Sequence, residues 1–186
     1  MKLIGFKKVK DGKYLKNYEL TYLNQNGSEK LYEIVSHHEL ASPDDLGQRV
    51  SGVSIAAFHG NQMLLLKEFR LGVNRQVYNL CAGMLKDGET LEECIRRELY
   101  EETGLRVKQI KEILPPAFAA VAMCDILNQI AFVEVEGTPR KDFASPNEEI
   151  EAAFYDRSKV RKLLEQGVAF SSRAQVIAYF FSRGMI

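Results

Sequence analysis

Residues 83–105 read GMLKDGETLEECIRRELYEETGL, and this stretch decides how the chain is read. Thr90, Leu91, Glu92 and Glu93 make a capping box, in which Thr90 caps the helix start and Glu93 answers from the third helical position. Gly104 stands where a left-handed glycine ends a helix. The spacing predicts a helix over about residues 91–103. Leu91, Ile95 and Leu99 recur every fourth residue with Cys94 beside them, which is the stripe an amphipathic helix buries. At about 100° per residue, Glu98, Glu101 and Glu102 fall within roughly a quarter of the circumference. Glu98 and Glu102 lie nearly in line with Leu91 and Ile95. The carboxylates therefore continue the inward stripe.

That placement is costly. A carboxylate in the last turns opposes the helix dipole, at about 0.3–1 kcal/mol each. Glu98 and Glu102 are like charges at i, i+4, and burial adds desolvation unless a cation is near. The bland alternative, a solvated acidic face, fits neither the angle nor the helix end. A divalent cation resolves the conflict, because clustered carboxylate oxygens suit Mg²⁺, with Mn²⁺ as a possible substitute. Arg97 can pair at i, i+4 with Glu93 on one side and Glu101 on the other, holding the cluster in place. Gly83 and Gly88 let the preceding backbone turn tightly and approach a ligand.

Outward from this helix the chain reads mostly as strands. YELTYLNQNGSEKLYEIVS, residues 18–36, is a hairpin turning at Asn26-Gly27. Polar residues 37–49 follow, with Pro43 and Gly47 as breakers, and read as a linker. Residues 50–71 form a second hairpin around His59-Gly60-Asn61. Its apolar runs are nearly continuous, as in strands central to a sheet. QVYNLCAG, residues 76–83, is a short strand leading into the helix. Residues 107–114, 128–137 and 149–156 are further strands. Residues 158–167 and 172–184 are helices closed by Gly167 and Gly184. The expected fold is α+β, a layered domain with a mixed sheet and an N-terminal β-hairpin extension. The expected division is residues 1–45 for that subdomain and 46–186 for the main domain.

Composition bounds the function. At 186 residues the chain has room for one domain and a small addition. Acidic and basic residues balance at 25 each, which argues against a nucleic-acid partner held by bulk charge. Cys81, Cys94 and Cys124 show no metal-ligand spacing and read as plain thiols of a reducing compartment. The N-terminus has no signal-peptide run, and no stretch reaches the ~20 apolar residues that cross a bilayer. The expectation is a cytoplasmic protein with no membrane and no nucleic-acid partner.

The quoted stretch resembles the Nudix box, G-x5-E-x7-R-E-U-x-E-E-x-G-U, where U is apolar. Gly83, Glu89, Arg97, Glu98, Leu99, Glu101, Glu102, Gly104 and Leu105 occupy its fixed positions. The N-terminal hairpin, LLLKEFRLGV before the box, the acidic loop after it and the last helix look more loosely like the ADP-ribose pyrophosphatase branch. The resemblance implies an α/β/α sandwich and hydrolysis of a nucleoside diphosphate linked to another moiety. It carries the metal-ligand role onto Glu98, Glu101 and Glu102, with the Ala82 carbonyl as a further ligand. Arg97 becomes the orienting arginine and Glu89 a supporting carboxylate. A general base is expected in SPNEEIE: Glu148 first, then Glu149, with Glu151 more remote because it enters the strand. Arg70 matches an arginine that grips a substrate phosphate. Gly83 and Met84 line the same backbone approach. His38 and Glu39 resemble a segment that reaches the nucleobase across a dimer interface, against the simpler reading of a linker. A homodimer is implied through the N-terminal hairpin.

Two departures concern the substrate. Many ADP-ribose hydrolases carry Glu and Pro before the box, where this chain has Asn79 and Cys81. A proline expected beyond the box is missing from AAVAMCDILNQ, since Pro115 and Pro116 come too early; Asp125 stands in that region as a polar residue. The expected substrate is a nucleoside diphosphate sugar, ADP-ribose first, with GDP-mannose as the rival. A Nudix module that senses a nucleotide without cutting it is the alternative of another class.

Overall fold

In a computed structural model, residues 1–140 and 149–186 are described. They form two compact units. One comprises residues 1–51 and 116–129, the other residues 52–115 and 130–186. The first therefore takes in a segment beyond the expected boundary at residue 45.

In the first unit, β1 (Lys2–Asp11), β2 (Lys16–Leu23) and β3 (Glu29–Ser36) form an antiparallel sheet in that order. The β2–β3 hairpin follows the sequence reading. The Asn24 side chain accepts from the Asn26 and Ser28 amides, and Gly27 takes φ +78°. Strand β1 adds a third strand that the hairpin expectation lacks. Its core gathers Tyr18, Leu20, Ile34 and Leu40 against Leu3, Phe6, Tyr22, Tyr32 and Leu46. The polar stretch after β3 is structured: a 3-10 turn at Pro43–Asp45 is capped by Ser42.

The other unit is built on β4 (Val50–His59), β5 (Gln62–Arg70), β6 (Arg75–Asn79), β7 (Cys81–Met84), β8 (Arg106–Ile113), β10 (Leu127–Glu136) and β11 (Ile150–Asp156). Short β9 (Ala117–Phe118) pairs with the start of β10. The sheet order is β11-β5-β4-β10-β8, so the two apolar strands β4 and β5 are internal, as their composition predicts. The single strand expected at residues 76–83 is two strands. The chain leaves β5 after the Leu66–Asn79 pair and joins β4 at the Ile55–Cys81 pair, breaking at Leu80.

Among the described residues three helices cover this sheet: α1 (Leu91–Thr103), α2 (Arg157–Glu165) and α3 (Ser172–Ser182). On one face, Cys94, Ile95 and Leu99 of α1 pack with Val53, Ile55, Leu64, Leu66 and Val133. On the other, Val160 of α2 and Ala174, Ile177, Ala178 and Phe181 of α3 pack with Ala56, Met63 and Leu65. Alternation along β5 explains the layering: Leu64 and Leu66 face α1, Met63 and Leu65 face α2 and α3. The result is the α/β/α sandwich. Among the described residues no helix is long and apolar enough to cross a membrane.

Candidate active site

Helix α1 starts as the sequence predicts. The Thr90 hydroxyl accepts from the Glu93 amide at 3.3 Å, and Glu93 Oε2 accepts from the Thr90 amide at 2.8 Å. Glu93 is thereby committed to the cap, and the expected Glu93–Arg97 pair is replaced. Arg97 instead forks onto Glu89, Nε to Oε1 at 2.6 Å and Nη2 to Oε2 at 2.8 Å. Its Nη1 reaches Glu98 at 2.6 Å and Glu101 at 3.1 Å, while Nη2 also donates to the Met84 carbonyl at 3.1 Å. One guanidinium therefore binds three of the box carboxylates and the backbone before the helix. The physical reason is the loop ahead of Thr90. The Lys86 amide donates to Glu89 Oε2 at 3.0 Å, which turns that carboxylate over the arginine. The Arg97 hydrogen bonds, helped by that amide, hold Glu89 down at about 2.

The remaining carboxylates differ in burial. Glu101 is about half exposed and lies 3.9 Å from Lys86 Nζ. Glu98 is largely buried, and desolvation raises its pKa against the pull of Arg97. Gly83 makes room for it, since a Cβ there would fall on the Glu98 carboxyl. Glu102 is the most perturbed. Burial pushes it up to about 8, with the charges of Glu98 and Glu68 adding to the rise; the Cys81 thiol and the Ala82 amide pull the other way. Its Oε2 is buried and has no hydrogen-bond partner among the described residues. Cys81, fully buried beside it, has its own pKa pushed well up, first by burial.

These features test the fit of a cation. A buried carboxylate with a bare oxygen is a costly arrangement for a protein alone. A hard cation supplies the missing partner, and oxygen donors from Glu98, Glu101, Glu102 and the Ala82 carbonyl are the type it takes. As they stand, no three His, Cys, Asp or Glu side chains among the described residues converge on one point that would hold a metal. Arg97 supplies the positive charge that Glu98 and Glu101 face.

The other candidates are distributed as follows. Arg70 ends β5, more than half exposed, with Nη1 3.5 Å from Glu68 Oε2. Met84 is half exposed. Glu149 precedes β11 and accepts from Gln76 Nε2 at 2.6 Å. Glu151 lies in β11 opposite Lys67. Glu148 lies outside the described residues. His38 and Glu39 belong to the first unit. There His38 Nε2 is 3.3 Å from the Ser51 hydroxyl and Glu39 accepts from Lys8 at 2.7 Å. Both line a cavity of ≈ 210 Å³ with Asp45, Gln48, Arg49 and Asp125.

Glu68 is the residue the sequence reading missed. It is 7% exposed, on the α1-facing side of β5, and accepts from Asn79 Nδ2 at 2.6 Å. A signal existed: in the period-two series Leu64, Leu66, Glu68, a charge occupies an inward position.

The chain belongs to the Nudix family: the NUDIX domain profile matches residues 48–178. Two of its relatives differ in kind. The ADP-sugar pyrophosphatase of Mus musculus is 25% identical over 129 residues, 69% of this chain and 59% of that protein. The NAD-capped RNA hydrolase NudC of Vibrio parahaemolyticus serotype O3:K6 is 42% identical over 59 residues, 32% of this chain and 22% of that protein. The chain thus spans less than two thirds of the length of either. The crystal structure of an ADP compounds hydrolase shares the fold with a TM-score of 0.74, over 98% of this chain and 92% of that one, at 18% identity.

Proposed function

We propose that this chain is a Mg²⁺-dependent pyrophosphohydrolase of nucleoside diphosphates linked to another moiety, cleaving ADP-ribose to AMP and ribose 5-phosphate. The observation that carries the proposal is Glu102, a buried carboxylate with a bare oxygen, beside Glu98 in a complete Nudix box. The names of two relatives, ADP-sugar pyrophosphatase and ADP compounds hydrolase, support the choice of substrate.

In this reading Glu98, Glu101, Glu102 and the Ala82 carbonyl hold the cation. When bound, it neutralises diphosphate oxygens and lowers the pKa of a water. Arg97 and Glu89 keep Glu98 and Glu101 in a fixed array, so little reorganisation is required when substrate arrives. Gly83 and Met84 line the approach of the diphosphate, and Arg70 grips a phosphate as a two-pronged donor. Glu148 or Glu149 takes the proton from the attacking water. His38 and Glu39 reach the nucleobase across a homodimer interface, and the protein works in the cytoplasm.

The test is product release from ADP-ribose, GDP-mannose, an NAD-type dinucleotide and nucleoside triphosphates, with and without Mg²⁺. Mg²⁺-dependent release of AMP from ADP-ribose ahead of the others supports the reading. Preference for another member moves the substrate and keeps the chemistry. Nucleotide binding without cleavage overturns it in favour of a sensing module.

A further inference from the structure

A partly buried hydrogen-bond chain runs from the start of α3 to the end of β5. Ser171, the N-cap of α3, accepts from the Ala174 amide at 3.4 Å and donates its hydroxyl proton to Asn79 Oδ1 at 2.5 Å. The Leu80 amide also donates to that oxygen, at 3.0 Å. A backbone amide can only donate, so the orientation of the Asn79 side chain is settled: its Nδ2 faces Glu68. Glu68 Oε1 is thereby taken up at 2.6 Å, and Oε2 is left toward Arg70 Nη1 at 3.5 Å.

The cost of this arrangement points to a task. Cross-strand from Glu68 are Val77 on β6 and Ile150 on β11. An apolar side chain would pack there without desolvating a charge, and buried carboxylates are poor value for stability alone. What Glu68 supplies instead is an acceptor, itself held by Asn79, 3.5 Å from the guanidinium of an arginine that is more than half exposed.

We infer that Glu68 is the positioning residue for Arg70, itself oriented by Asn79 and Ser171. The inference rests on the reading of Arg70 as a phosphate-gripping residue. An arginine held on one side by a fixed acceptor loses less freedom when its remaining donors meet a phosphate. Arg70 is the group that touches substrate, and Glu68 acts through it.

The experiment is calorimetric binding of α,β-methylene ADP-ribose with Mg²⁺, which needs no turnover, alongside melting of each variant. In Glu68→Gln the amide oxygen keeps the Asn79 bond, and an N–H₂ group then confronts Arg70, donor against donor. Affinity is expected to fall about tenfold, the scale of one charge-assisted hydrogen bond. Arg70→Ala is expected to fall at least as far, and the double variant no further than Arg70→Ala. Glu68→Gln combined with Asn79→Asp reverses the donor and acceptor of the pair. It returns an oxygen to face Arg70 and should recover most of the affinity lost in Glu68→Gln, with a melting temperature near the parent's.

Each other outcome has a clear meaning. Arg70→Ala binding like the parent, or a parent that does not bind, overturns the phosphate reading and this inference with it. Loss in Arg70→Ala with none in Glu68→Gln overturns the inference alone. So does full additivity in the double variant, or a well-folded reversed pair with no recovery.

Discussion

Glu102 carries the sharpest consequence of single-residue chemistry. An ordinary glutamate titrates near 4.5, and burial moves this one to about 8. Below pH 4.5 the folded and unfolded chains both hold the proton, and stability is undiminished. As pH rises from 4.5 toward 8 the unfolded chain ionises first, so the fold loses stability across that window. Glu102→Gln removes the titration. In metal-free buffer, urea denaturation should find the variant gaining on the parent between pH 4.5 and 8, and equal to it at pH 4. The same variant should lose most Mg²⁺-dependent turnover; near-full turnover in it would remove Glu102 from the metal site. Gly83 makes a second prediction. Its missing Cβ is filled by the Glu98 carboxyl, so Gly83→Ala should lower stability by about 1–3 kcal/mol, the scale of overpacking, in a calorimetric melt. Residues on the helix were legible because a single angle per residue orders them. Of the partners of Arg97, Glu101 was legible at i, i+4, but Glu89 was not, because it reaches the arginine through loop geometry that spacing on the helix does not express.

At the scale of elements, α1 was the most legible part of the chain. Its cap, its buried stripe and its terminating Gly104, at φ +73°, each left a local signature. Thr90→Ala should therefore cost about 1 kcal/mol, read from a shift in the denaturation midpoint with an unchanged slope. A much smaller shift would mean that packing of Ile95 and Leu99 alone defines the helix start. The strands were less transparent. Strand β1 pairs on one side only, and register shifts between Leu3 and Gly5 and between Lys8 and Lys10 interrupt its alternation. Its lysines suit an exposed edge and give no apolar period to read. The break at Leu80 was invisible for another reason. QVYNLCAG carries no turn pair at Leu80, and the change of partner from β5 to β4 divides it.

For the whole molecule, the two faces of the sheet carry separate apolar clusters built on the same strands. Leu99 is fully buried on the α1 face, and Leu99→Ala should cost about 2–5 kcal/mol while weakening metal binding, since the same helix carries the carboxylates. Ligand linkage makes a complementary prediction. Raising Mn²⁺ should raise the melting temperature of the parent progressively, because a cation that binds only the folded state stabilises it by mass action. Glu102→Gln should show little of that response; an equal rise in both proteins would place the cation elsewhere. What the sequence by itself determined was the layered α+β fold, the course of α1 and the inward aim of Glu98 and Glu102, since periodicity, caps and turns act within a few residues. The tertiary structure decided that Arg97 binds Glu89 together with Glu98, where the strand beside the box divides, and that Glu68 stands buried beside Arg70. The setting of Glu68 depends on segments distant in sequence, since Ser171 meets Asn79 from 92 residues away, and hydrogen-bond geometry settles it only once the sheet has brought β5, β6 and the start of α3 side by side.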